Sequence, residues 1–333
     1  MGHIILVAKS KRILICDDSP IVHKALTRLL PDSDFLTLHF AENGRAGLEC
    51  LSEYDIDVLF LDLTMPVMDG FGVLKSLPVR DFDTKVVVVS ADVQQQAIER
   101  CFSLGAHHFL SKPFDSKDFK TLLTSLDLCV ESHSPLQNDT LVNSESDYVN
   151  TFKEVANIAL GRGAAIISDH FGEFIKMPLP NVAHMDAGEL AMAITDIKNT
   201  DDTIAIAQRF VGGGINGEAL VCLRGDDIGV FGEKLGFSQM DENKNEIVID
   251  TANLMVSSFL VALSEQMNIP FSVRQPIVLE EYMGWGDSEN STLELFTIEY
   301  TYQAESLDLE CDVLFLMDSG STQVIKKIMG TLH

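Results

Sequence analysis

The sequence predicts a doubly wound α/β domain followed by an α+β domain built from two similar halves. Three observations predict this architecture: apolar runs alternating with helical patterns through the first 130 residues, a polar stretch at 131–147, and matched residues 96 apart thereafter. In order, the apolar runs are Ile13–Cys16, Leu36–Ala41, Val58–Leu61, Lys85–Ser90 and His107–Leu110. Helical patterns such as Val22–Leu30 and Val93–Leu104 separate them. Short β-branched runs such as Val86–Val89 suit strands covered on both faces, so five of them alternating with helices imply a parallel sheet. The run 131–147, ESHSPLQNDTLVNSESD, has no apolar period and is expected to be a linker between a domain at 11–130 and another at 148–333.

The second domain repeats itself. Asn157 matches Asn253, Ser168 matches Ser264, Pro180 matches Pro276 and Val182 matches Val278, with acidic Glu154 opposite acidic Asp250. Each copy, about 148–240 and 241–333, opens on a long helical pattern (147–172 and 242–268) and passes through its Pro into a strand. A strand pair and a closing helix follow: Ile204–Val211 with Ala219–Leu223, then Leu295–Tyr302 with Leu309–Phe315. Two such halves in one chain predict a single domain with pseudo-twofold symmetry.

Composition narrows the function. The 333 residues carry a net charge of −26, of which −5 falls in 1–130 and −21 in 131–333. Such a surface repels phosphate backbones and anionic lipid, so neither nucleic acid nor membrane is an expected partner. Six scattered cysteines form no C-x-x-C pair and point to neither a disulfide framework nor a zinc site. The apolar run Ile4–Ala8 is too short for a signal segment, and Ile247–Leu263 carries Asp250 and Asn253 and falls short of a membrane span, so a cytoplasmic protein is expected. Gly212-Gly213-Gly214 lies between two strands with no Lys-Ser/Thr after it and reads as a hairpin turn, not a phosphate loop.

In a doubly wound sheet the working crevice lies at the C-terminal ends of the strands. Asp17 and Asp18 follow the first strand, Asp62 the third, Ser90 ends the fourth, and Lys112-Pro113 follow the fifth, so all of them land on one edge. Three clustered carboxylates suit a hard cation such as Mg²⁺, which would draw charge from an incoming phosphoryl group and leave a carboxylate such as Asp62 a plausible nucleophile. The pattern DD…D-L-T-M-P-V-M-D-G…V-V-V-S-A…K-P-F resembles the CheY-like receiver domain of two-component response regulators, a flavodoxin-like five-stranded fold. The resemblance implies Asp62 as phospho-acceptor and Asp17, Asp18, Asp62 and the Thr64 backbone around Mg²⁺. It also implies Ser90, Lys112 and Phe109 as switch and phosphate-binding residues, a cis Lys112–Pro113 bond, and a sensor histidine kinase or phosphotransfer protein as phosphodonor.

The two long helical patterns each carry a polar stripe: Asn150, Glu154, Asn157 and Gly161 in the first, Glu246, Asp250, Asn253 and Ser257 in the second. A carboxamide can hold a water in one orientation, and a carboxylate one turn away can pair with a cation on a docking partner. Hydrolysis of an acyl phosphate is governed by in-line positioning and by charge the receiver itself supplies, so a water-pinning residue is what remains to be added. The motif of acid, two residues, Asn, then Pro 23 positions on is met by Glu154/Asn157/Pro180 and by Asp250/Asn253/Pro276, and residues 148–333 resemble the CheC/CheX/FliY aspartyl-phosphate phosphatases. That resemblance implies that Glu154 or Asp250 pairs with a target receiver's Lys and that Asn157 or Asn253 orients the attacking water. Asn150 and Glu246 stand where the family usually shows Ser or Asp, and Asp250 is one methylene shorter than Glu, so the first site is the better candidate. The expected function is a phosphorylation-regulated response regulator whose output domain dephosphorylates a receiver, a partner's or its own. A non-catalytic adaptor or flagellar-switch-type protein that sequesters a phosphorylated receiver stays open as the alternative, as does a homodimer.

Overall fold

The computed structural model describes residues 10–31, 35–80, 84–126, 128, 145–186, 188–190, 192, 203–224, 227–237, 244–279, 294–305 and 309–331. Met1–Ala8 with its apolar run, Cys129, residues 131–144 of the expected linker, 241–243 at the expected start of the second long helix, and the loop around Trp285 lie outside these residues. The chain divides into two compact units, one ending near Val142 and one beginning near Asn143.

The first unit is a five-stranded parallel sheet with strand order β2-β1-β3-β4-β5, formed by β1 (Lys11–Cys16), β2 (Leu36–Ala41), β3 (Val58–Leu61), β4 (Lys85–Ser90) and β5 (His108–Ser111). Helices α1 (Pro20–Leu29), α2 (Gly44–Glu53), α3 (Gly70–Arg80), α4 (Gln95–Ser103) and α5 (Ser116–Ser125) connect and follow them. The order is that of flavodoxin-like folds, as expected. Alternation of side chains along each strand divides the core in two. Leu14, Leu59, Leu61, Val86 and Val88 meet Leu48, Leu51, Val73 and Leu74 of α2 and α3. Ile13, Ile15, Val58, Phe60, Val87 and Val89 meet Val22 and Leu26 of α1 and Phe119, Leu122 and Leu123 of α5. Both faces are therefore apolar, which is why these strands read as continuous hydrophobic runs.

The second unit is an α+β fold with an eight-stranded sheet. Its elements are α6 (Glu145–Phe171), β6 (Ile175–Lys176), β7 (Asn181–Asp186), β8 (Thr203–Gly212), β9 (Ile215–Arg224), α7 (Asp227–Leu235), α8 (Lys244–Met267), β10 (Ser272–Val273), β11 (Ile277–Val278), β12 (Glu294–Ala304), β13 (Leu309–Met317) and α9 (Ser319–Met329). Helix α6 begins at Glu145, so the last three residues assigned to the linker are helical although they carry no apolar period.

The pseudo-twofold is visible in the pairings. The equivalent strands β9 and β13 pair antiparallel at the centre, with Leu220 opposite Leu314. The two copies exchange their short strands: β10 and β11 of the second copy pair with β8 of the first, and β6 and β7 of the first pair with β12 of the second. Neither copy can therefore complete its sheet alone. Helices α6 and α8 lie together against one face, contributing Phe152, Ala156, Ala159 and Ile167, and Ile247, Ala252, Met255, Phe259 and Leu263, to one core with Ile206, Phe210, Val221, Phe296, Ile298 and Phe315 of the sheet. Gly213 and Gly214 form the two-residue turn of the β8–β9 hairpin.

Helix α8 is long and apolar enough by length and composition to cross a membrane, but 61% of that apolar window is buried inside the fold. It serves as a core helix of this unit.

The helices meet closely at Gly163, where a Cβ would stand 3.1 Å from the Tyr302 hydroxyl and 3.4 Å from the backbone of Ser258 and Phe259 on α8. Gly163 and Phe259 are themselves equivalent at the 96-residue offset, so the contact lies on the pseudo-twofold. A branched side chain there would push the helices apart and open the core on both sides. Gly163→Val is expected to lower the stability of this unit by about 1–3 kcal/mol, read as an earlier denaturant midpoint for the loss of helical circular dichroism in the full chain. An unchanged midpoint would contradict this packing.

Candidate functional site

The first candidate site is built by the parallel ladder itself. Backbone hydrogen bonds continue one residue past the strands: Asp17 N–H donates to Ala41 O at 3.0 Å, Asp62 N–H to Cys16 O at 2.9 Å, and Lys112 N–H to Ser90 O at 2.8 Å. Asp17, Asp62 and Lys112 are thus fixed as neighbours at one sheet edge before any side chain interacts. Asp62 and Asp17 are 1% and 2% exposed, and Asp18 is half-buried. Their carboxylate oxygens lie within 4.8 Å of one another.

Lys112 is the counter-charge. Its Nζ lies 2.8 Å from Asp17 Oδ2 and 3.4 Å from Asp62 Oδ1, and it is itself 3% exposed. The remaining lone pairs are partly held by main chain: Thr64 N–H donates to Asp62 Oδ2 at 3.2 Å and Ser19 N–H to Asp17 Oδ1 at 2.8 Å. Gly70 allows the loop after Asp62 to close back, since a Cβ there would stand 2.3 Å from the Asp62 carbonyl oxygen. Ser90 is fully buried at the end of β4, Phe109 is half-buried against the α2–α3 core, and the Lys112–Pro113 peptide is cis. The structure therefore brings Asp17, Asp18, Asp62 and Lys112 into one cluster, with the Thr64 backbone on Asp62 and Ser90 one step down the ladder from Lys112.

Charge within the cluster does not balance. Two unit charges 4.8 Å apart repel by about 3 kcal/mol at an effective dielectric constant near 20, and the Lys112 ammonium lies against Asp17 and Asp62 of the three carboxylates. Hard oxygen donors this close fit a divalent cation such as Mg²⁺, and not a soft metal. The adjacent Cys16 takes no part: burial first, then the Asp17 and Asp62 carboxylates and the Cys50 thiol, push its pKa up to about 12, so it remains a thiol at neutral pH.

The second candidate site lies on the long helices. On α6, Asn150 is exposed, Glu154 half-buried and Asn157 buried, and the Asn157 Oδ1 has no hydrogen-bond partner among the described residues. On α8, Glu246, Asp250 and Asn253 are all exposed and Ser257 is half-buried, so the stripe read from sequence is an open face. Each acid and its Asn share one helix, Glu154 and Asn157 on α6 and Asp250 and Asn253 on α8. Sequence reading missed Gln208, a 1% exposed residue on β8 whose Nε2 donates to Asn253 Oδ1 at 2.9 Å and to Arg274 O at 3.0 Å. A polar side chain inside the apolar run IAIAQRF was the available signal.

Comparison with known proteins locates one family. The model of the response regulator receiver domain matches residues 13–124. Chemotaxis protein CheY of Listeria monocytogenes is 34% identical over 105 residues, which cover 32% of this chain and 88% of that protein. The protein-glutamate methylesterase/protein-glutamine glutaminase of Symbiobacterium thermophilum is 37% identical over 113 residues, covering 33% of this chain and 31% of that protein. Among solved structures, Vibrio cholerae chemotaxis protein CheY4 aligns at a TM-score of 0.33 and 24% identity, covering 36% of this chain and 99% of that one.

The charge imbalance has a measurable consequence. Asp18→Asn removes one of three mutually repelling carboxylates, so in chelator-treated buffer it should raise receiver-unit stability by about 1 kcal/mol. The same variant should lose most of the stabilisation that millimolar Mg²⁺ gives the unmodified chain, measured by thermal melts with and without the metal. A variant that is less stable in chelator and equally responsive to Mg²⁺ would refute the imbalance.

Proposed function

This chain belongs to the response regulator receiver family, and on that premise we propose that it is a phosphorylation-regulated signalling protein whose second unit hydrolyses the aspartyl phosphate of a receiver domain. Its own receiver would take a phosphoryl group from a histidine kinase or phosphotransfer protein. An Asp62 carboxylate oxygen forms the new bond to phosphorus, the bond between phosphorus and the donor's histidine nitrogen breaks with its electron pair on nitrogen, and the histidine regains a neutral ring. A Mg²⁺ ion held by Asp17, Asp18, Asp62 and the Thr64 backbone would neutralise charge on the phosphoryl oxygens. Lys112, already within reach of Asp62, would supply a second positive charge there, and Ser90 at the end of β4 would serve as the switch residue.

The observation that carries the output reading is the duplicated acid–Asn pair on the two long helices of a pseudo-twofold fold: Glu154 with Asn157 on α6, and Asp250 with Asn253 on α8. Spacing of three residues sets each acid and its Asn on one helix face. In a docked receiver the acid would pair with the target's lysine, and the carboxamide would accept a hydrogen bond from the attacking water. The target contributes its own metal and lysine, so positioning is the main contribution required from this chain.

Two variants test the two halves of the proposal. Asp62→Asn is expected to abolish the gain of one phosphoryl group by the chain when incubated with acetyl phosphate and Mg²⁺, read by intact mass. The double variant Asn157→Ala/Asn253→Ala is expected to slow phosphate release from a phosphorylated chemotaxis-type receiver by about tenfold or more while leaving Asp62 phosphorylation intact. Release unaffected by the double change would refute the output reading and select sequestration without hydrolysis.

A further inference from the structure

The two copies of the acid–Asn pair differ in what their carboxamides can offer. The Arg274 carbonyl oxygen can only accept, so the Gln208 group facing it at 3.0 Å must be the Nε2 amide. That same Nε2 faces Asn253 at 2.9 Å, so Asn253 must turn its Oδ1 inward. Ser257 Oγ donates to the same oxygen at 3.3 Å. Both lone pairs of Asn253 Oδ1 are then occupied, and a main-chain carbonyl, which cannot flip, fixes the orientation of the whole chain of amides. What Asn253 presents outward is its Nδ2–H₂ group, which donates and cannot accept.

Neither holding side chain exists in the first copy. Ser257 is matched by Gly161 at the 96-residue offset, which has no side chain. The β-ladders give the other equivalence: Ile277 pairs with Ala207 in one copy and its counterpart Asn181 with Glu299 in the other, so Gln208 corresponds to Tyr300. A phenol thus stands where the second copy has the amide that links Asn253 to the main chain. In keeping with this, Asn157 Oδ1 is buried without a partner among the described residues, so no hydrogen bond holds it inward and a turn of the amide brings that oxygen to the surface.

The distinction matters for hydrolysis. A water attacking phosphorus must aim a lone pair at the phosphorus, and a group that accepts one of its hydrogens orients it most directly. The water oxygen forms the new P–O bond, the bond from phosphorus to the target's aspartate oxygen breaks with its electron pair on the carboxylate, and the water's proton ends on the released phosphate. An amide committed as a donor meets only the water's second lone pair and cannot take one of its hydrogens, so it lacks the contact that turns a lone pair toward phosphorus. It can only donate to an acceptor such as a phosphoryl or carbonyl oxygen.

Resting on the phosphatase reading above, we propose that the copies have divided: Asn157 is the water-orienting residue, and the second copy is held in a binding-only state by Gln208 and Ser257, which act on Asn253 as positioning residues. The inference rests on three hydrogen bonds and on the different side chains at the equivalent positions.

The test is phosphate release from a phosphorylated chemotaxis-type receiver by the full chain. If both copies worked equally, Asn157→Ala would halve the acceleration. The division predicts a loss of about tenfold or more. Freeing Asn253 in that background, with Gln208→Leu/Ser257→Gly, should restore release by at least about threefold, and adding Asn253→Ala should remove the gain again. Ser257→Gly alone, at a half-buried position, keeps the test open if Gln208→Leu impairs folding, and should give a smaller gain in the same direction. A mere twofold loss in Asn157→Ala, or no gain from Ser257→Gly and the double change, overturns the division while leaving the phosphatase reading standing. A wild-type chain that accelerates nothing removes both, and is recognised by its own inactivity.

Discussion

The Lys112 ammonium set against the Asp17–Asp18–Asp62 cluster is the constraint on which the receiver unit depends. The parallel ladder delivers Asp17, Asp62 and Lys112 to one edge through backbone bonds that extend a residue beyond each strand, so the electrostatics are imposed by the fold and not chosen by flexible side chains. Burial of Asp17, Asp62 and Lys112 removes the water that would otherwise screen them. The result is a cluster of carboxylates whose mutual repulsion a bound cation would relieve.

The second unit rests on a different constraint, symmetry. Exchange of short strands across the central β9–β13 pair makes the two copies interdependent, and the close approach of α6 to α8 at Gly163 locks them at the pseudo-twofold. Duplication would produce two identical sites if nothing else intervened. Small differences off the axis break the equality: Ser257 against Gly161, Gln208 against Tyr300. On the proposed division, a shared scaffold with unequal side chains lets one helix keep an acceptor while its counterpart is held as a donor.

Much of this was legible in the sequence, for identifiable reasons. Strands β3 and β4 begin and end where the apolar runs do, because each is covered on both faces and polar residues appear only at or beyond its ends. The cluster Asp17, Asp18, Asp62 and Lys112 was legible because strand ends in a doubly wound sheet share one edge. The two-residue strands β6 and β10 carry too little pattern to be read, so the exchange between copies was not. Nor was the Gln208–Asn253 bond, which joins residues 45 apart and depends on which way two amides face. The start of α6 at Glu145 was hidden for a related reason: its first turn lacks the apolar spacing that marks the rest.

The measurement that tests the central claim most directly is the rate of phosphate release from a phosphorylated chemotaxis-type receiver as a function of the concentration of this chain. The account predicts a rate that rises and saturates, with the half-saturating concentration shifting with ionic strength because residues 131–333, of net charge −21, would present an acidic stripe to a lysine. A rate that stays at the spontaneous value at every concentration would contradict it.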